Sequence, residues 1–149
     1  MIVLVVLAVA LLAFRTMGWL GVEALASWAA ASRWALALML FFTASAHFTS
    51  MKEDLVGMVP GWMPRPRLMV ALTGLCEILG AIGLLIPSVQ RAAGLALIAF
   101  FLAVFPANVH AARAEIALRG KPATPLWLRA PMQVLFIVLT WWSAVAPPG

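Results

Sequence analysis

The sequence predicts an all-α fold, a polytopic bundle of five transmembrane helices, on three observations. Hydrophobic residues make up 65% of the 149 and charged residues only 10%, whereas soluble domains carry roughly 25% charged residues. The apolar residues fall into five runs of about span length, separated by Arg, Lys, Pro and Gly. The third run, residues 68–86, is broken by a single charge at its midpoint, Glu77. As an α-helix it would be ~28 Å long, close to the ~30 Å hydrocarbon core of a bilayer. One membrane domain accounts for the whole chain, with residues 1–21 forming an extra N-terminal transmembrane helix and residues 34–146 a four-helix core.

The first run is uniformly apolar through Phe14 and extends past Arg15 to Gly21. Arg15 can snorkel to the interface beside Trp19. The rival reading, a cleaved signal peptide with Ala24-Leu25-Ala26 as its site, lacks the Lys or Arg that precedes such a run. Residues 21–32 read as a short helical connection or the tilted start of the next span. The second span, residues 34–51, turns polar in its C-terminal half, where Thr43 and His47 are four apart and share a face. The loop over 52–67 carries Pro60, Pro64 and Pro66, which stop helices, and Trp62, which suits an interfacial anchor. In the third span Gly74, Gly80 and Gly83 remove bulk around the carboxylate, allowing close approach of neighbouring helices. A turn at 88–91 leads to the fourth span, residues 92–112, with Pro106, Asn108 and His110. A basic loop over 113–129, with Gly120, Pro122 and Pro125 as breakers, precedes the fifth span at 130–146.

The net charge of +5 excludes less than it first suggests, because the basic residues are scattered singly and form no stripe for nucleic acid. They read as topology signals. Seven of the ten (Lys52, Arg65, Arg67, Arg113, Arg119, Lys121 and Arg129) fall in two loops on one face, leaving Arg15, Arg33 and Arg91 on the other. By the positive-inside rule the richer face is cytoplasmic, and the N-terminus with it. The lone Cys76 excludes an internal disulfide or a Cys-x-x-Cys dithiol and reads as a small buried hydrophobe.

Glu77 marks the candidate site. A carboxylate near mid-membrane costs at least ~2.5 kcal/mol by insertion scales, so it should face the bundle interior, paired or protonated. Counting inward from the basic end of each span, His47, Thr73, Asn108 and Gln133 share a layer roughly 6–9 Å deep, with Thr43 and Glu77 ~13–15 Å down. His110 sits at the rim, and the opposite leaflet offers nothing comparable. Each residue taken singly can be a structural clasp: Thr73 bonding its own helix, His47 sitting at an interface, Gln133 tying two helices. Together they read as a ligand pocket in one leaflet, made of Glu77, His47, Asn108, Thr43, Thr73, Gln133 and His110. A metal site from His47, His110 and Glu77 has suitable ligand types but no metal-motif spacing, and none is expected. No Ser or Cys nucleophile with a positioned base is visible, and haem or iron–sulfur ligation is not suggested.

Ala46-His47-Phe48, Met58-Val59-Pro60, Gly74-Leu75-Cys76-Glu77-Ile78-Leu79-Gly80-Ala81 continuing through Ile82-Gly83-Leu84-Leu85-Ile86-Pro87, and Phe105-Pro106-Ala107-Asn108-Val109 follow one another in an order that resembles the DoxX-like family of small bacterial membrane proteins. The resemblance covers residues 35–142, four of the five spans. It implies a four-helix core in the bacterial inner membrane and a place in a membrane redox system, since the family is named after subunits of a thiosulfate:quinone oxidoreductase. The disulfide role of similar proteins needs paired cysteines that this chain lacks, and no catalytic residue carries over.

Three functional readings follow. In the first, the chain is an accessory subunit whose pocket binds a lipophilic molecule such as a quinone, with no cofactor in the chain itself and electrons supplied by a redox partner protein. In the second it is a small enzyme or transporter in which Glu77 binds an amphiphilic amine or alcohol, or relays a proton with His47. In the third it is a purely structural scaffold. The sequence leaves catalysis open. It names the lipid bilayer as a partner, and a partner protein or further copies of the chain as associates, with a bound quinone or lipid as the ligand.

Overall fold

The computed structural model describes residues 2–117, 120 and 124–146, and these are all helix, turn and coil. Of the sequence expectations, those resting on Arg119, Lys121 and Pro122 lie outside the described residues. The elements are α1 (Ile2–Trp19), α2 (Trp28–His47), α3 (Lys52–Met58), α4 (Pro66–Leu85), α5 (Gln90–Arg113) and α6 (Leu126–Thr140), the last continued by a π turn at Trp141–Val145. Five of these helices are long and apolar enough to cross a membrane, α6 together with its π turn being one of them.

Local chemistry sets the ends. Ser27 stands before α2 in an extended conformation and its hydroxyl accepts from the Ala30 amide at 3.0 Å, meeting one of the donors a helix start leaves free. Pro66 opens α4, where its missing amide costs nothing. Pro125 stands just before α6 as its extended N-cap residue, and that helix begins four residues earlier than the sequence reading placed it and brings Arg129 into its first turns. Likewise α2 starts at Trp28, and the segment expected to be wholly loop at 52–67 contains α3. α5 runs through Pro106 without ending.

The central helix is α2, whose Ala31, Ala35, Leu36, Ala37, Met39 and Leu40 are almost wholly inaccessible. It packs against α1 on one side and α4 on the other, while α4 packs on α5, α5 on α6, and the π turn returns to both α5 and α2. Small residues let the backbones approach: a Cβ added at Gly83 would stand 2.6 Å from that of Ala93, and one at Gly80 would collide with Leu97, so these two glycines set the α4–α5 distance. The outer faces are the reverse of a soluble protein's. Val5, Val9 and Leu12 on α1, Leu72, Leu75, Leu79 and Ile82 on α4, and Val134 and Val138 on α6 are exposed, an apolar girdle that suits a bilayer and would be an association liability in water.

Candidate functional site

At the end of the bundle where α2 runs out, a cavity of about 630 Å³ opens between the helices. Its apolar walls come from Met39, Leu40, Phe100, Phe101, Val104, Met132 and Phe136; Met51, Leu55 and Met58 close it from the α3 side and Ile2 and Val3 from α1. The polar lining is divided between two helix pairs. Thr43, His47 and Glu77 belong to α2 and α4; Asn108, Arg129 and Gln133 belong to α5 and α6. An apolar groove of about 470 Å³ between α1 and α2, around Val5, Val9 and Phe14, has no such lining.

On the α2–α4 wall the side chains of His47 and Glu77 are 11% and 13% exposed, with Nε2 of the imidazole 3.6 Å from Oε1 of the carboxylate. Thr43 Oγ1 donates to Glu77 Oε2 at 2.8 Å, with its own helix's Leu40 carbonyl as a second acceptor at 3.1 Å. The other imidazole nitrogen, Nδ1, lies 2.6 Å from the Val70 carbonyl. A carbonyl can only accept, so Nδ1 carries the proton. Nε2 is therefore the nitrogen that gains or loses a proton, and it faces a carboxylate. Thr73 donates to the same Val70 carbonyl at 2.9 Å and stands 3.3 Å from Nδ1. Gly74 makes the arrangement sterically feasible, because a Cβ there would lie 2.6 Å from His47 Cβ. Its role is thus to admit the imidazole; Gly80 and Gly83 face α5 rather than the carboxylate.

The α5–α6 wall is a second network. Arg129 Nε donates to the Thr124 carbonyl at 2.8 Å and Nη1 to Asn108 Oδ1 at 3.0 Å. Asn108 Nδ2 reaches Gln133 Oε1 at 3.5 Å, and Gln133 Nε2 donates to the Phe101 carbonyl. Gln133, only 8% exposed, is held at both ends.

Of the seven residues singled out from sequence, the structure places Thr43, His47, Glu77, Asn108 and Gln133 around the cavity. Thr73 lies behind His47 and orients it, and His110 is half-buried on α5 outside the lining. Arg129, Ser45 and Thr124 are polar lining residues that sequence reasoning missed, and of these Arg129 alone is charged. The opposite end of the bundle is less apolar than expected: Arg33 Nη1 donates to the Ser143 carbonyl at 2.7 Å and Gln90 Nε2 to that of Ala144 at 3.3 Å. Both serve carbonyls at the π turn that ends the last helix, where intrahelical partners run out. Among the described residues no three His, Cys, Asp or Glu side chains converge as a metal site would require.

These features define an all-helical protein with five potential membrane-crossing helices and a polar-walled cavity at one end. The chain belongs to the family described as Domain of unknown function (DUF8561), whose model matches residues 36–144. That match spans every residue of both polar walls, while α1 precedes it. No curated protein and no solved structure matches the chain.

Proposed function

We propose that this protein is a multi-pass protein of the bacterial inner membrane, DoxX-like in its four-helix core, that serves as an accessory subunit of a membrane redox system and holds a quinone or similar lipophilic ligand in the cavity. The observation that carries this reading is the cavity's composition, an aromatic and methionine-rich interior with polar side chains from four helices on two of its walls. Such a space suits a molecule with a polar head and an apolar body. A quinone reduced to a quinol takes up two electrons, here from a partner protein, and two protons. His47 Nε2 and Glu77 form a pair able to hand a proton to one ligand oxygen, while the α5–α6 wall offers donors to another. The seven-to-three division of basic residues supports a cytoplasmic N-terminus, with the basic loops on the same side.

The His47–Glu77 geometry also favours a second reading, an enzyme or transporter in which the pair relays a proton. For a cationic amine the fit is poorer, since one Glu77 oxygen accepts from Thr43 and the other faces His47. A short-tailed quinone titrated into the purified protein in lipid nanodiscs, with tryptophan fluorescence quenching as the signal, tests the proposal. Wild type and Glu77→Gln should bind it, and the His47→Ala/Asn108→Ala double variant should not. Equal quenching in wild type and the double variant would overturn the reading.

A further inference from the structure

Arg129 is a cation on the α5–α6 wall of a cavity whose other ionisable lining residues are His47 and Glu77, and its own hydrogen-bond partners do not neutralise it. The Thr124 carbonyl and the Asn108 amide oxygen are both uncharged, and the ion pairs among the described residues are His47–Glu77 and Arg67–Glu53. A guanidinium carries five N–H groups. Two are used here, which leaves three without an acceptor among the described residues. The side chain is nevertheless held in place, because Asn108 is itself anchored by Gln133 and Gln133 by the Phe101 carbonyl. Asn108 and Gln133 therefore spend their polar atoms on the protein and present Arg129 to the cavity.

We propose that Arg129 is the head-group anchor of this pocket and that the ligand it takes carries an acceptor oxygen with full or partial negative charge, a carbonyl or a carboxylate, at the end docked against α5 and α6. This rests on the cavity being a ligand site and names the chemical class of that ligand. The reasoning is one of matching. A fixed guanidinium with open N–H groups pairs with planar oxygen acceptors, often through two parallel bonds. An amine offers it only donors and like charge. An alcohol gives a single weak acceptor.

The test uses three probes of matched chain length on the full-length protein in nanodiscs: a benzoquinone with a twelve-carbon tail, a twelve-carbon carboxylate and a twelve-carbon amine. The proposal expects wild type to bind at least one of the two oxygen probes, with the amine the weakest of the three. Which oxygen probe binds more tightly separates a carbonyl from a carboxylate ligand. Arg129→Gln should weaken that binding roughly tenfold or more, as expected for loss of a charge-assisted hydrogen bond. Arg129→Lys, which keeps the charge but loses the fork, should fall between. Tightest binding of the amine by wild type would overturn the proposal without recourse to any variant, as would oxygen-probe affinity unchanged in Arg129→Gln. If no probe binds folded wild-type protein, the ligand-site reading fails and this inference with it.

Discussion

Gly74→Ala puts the geometry behind the His47–Glu77 pair to a quantitative test. The added methyl would lie 2.6 Å from His47 Cβ and 2.8 Å from its Cγ, whereas carbon atoms in contact sit about 3.5–4.0 Å apart. Roughly an ångström must be found. His47 cannot supply it by rotating without leaving the Val70 carbonyl and the Glu77 carboxylate, so α2 and α4 must separate. Overpacking of this kind costs about 1–3 kcal/mol, offset by the roughly 0.5–1 kcal/mol that alanine gains over glycine inside a helix. The net expectation is a loss of about 1 kcal/mol, or about 2–4 °C in the unfolding midpoint of a chain this size. Quinone binding should weaken with it. Gly57→Ala is the control, because the nearest atom to its added Cβ is Ile116 Cγ2 at an ordinary 3.8 Å, so only the helix-propensity gain should remain. Thermal unfolding in detergent, followed by circular dichroism, reads both. A Gly74→Ala protein as stable as wild type with unchanged quinone affinity would refute the claim that this glycine positions the imidazole.

Two other outcomes follow from the same structure. Gln133→Ala should destabilise the protein by about 1–3 kcal/mol, since it strips partners from a buried carbonyl and from Asn108; denaturation in detergent measures it, and quinone affinity should fall as Arg129 loses its support. A cysteine introduced as Lys121→Cys should stay unlabelled by an impermeant maleimide added to intact cells and react after lysis, as a cytoplasmic loop requires; labelling from outside would reverse the orientation.

Helix content was largely legible because five apolar runs of span length dominate the chain, and the gathering of Thr43, His47, Glu77, Asn108 and Gln133 around one cavity could be read because a fixed rise per residue converts distance from a charged end into depth. What escaped had specific causes. α3 is seven residues long, contains Gly57 and has only a short apolar stretch at residues 55–58, so nothing in its pattern outweighed the prolines that follow. Arg129 was taken as the boundary of the last span, as a charge beside a loop ordinarily is. The hint lay in Leu126-Trp127-Leu128, an apolar stretch directly after Pro125, which starts the helix before the arginine and turns its side chain towards Asn108. His110 stands only two residues from Asn108, but the 3.6-residue turn places the two on different faces, and depth counting carries no information about facing. Gly80 and Gly83 were assigned to the carboxylate for the same reason, although they face α5.

Native mass spectrometry of the protein released from its own membranes tests the central claim, that the cavity between the His47–Glu77 wall and the Arg129–Asn108–Gln133 wall holds a lipophilic ligand. The prediction is a small-molecule adduct on wild type that is lost from the His47→Ala/Asn108→Ala variant while both remain folded by circular dichroism. Folded wild-type protein that carries no adduct, or one retained equally by the variant, would contradict it and leave the polar residues as a clasp between helices.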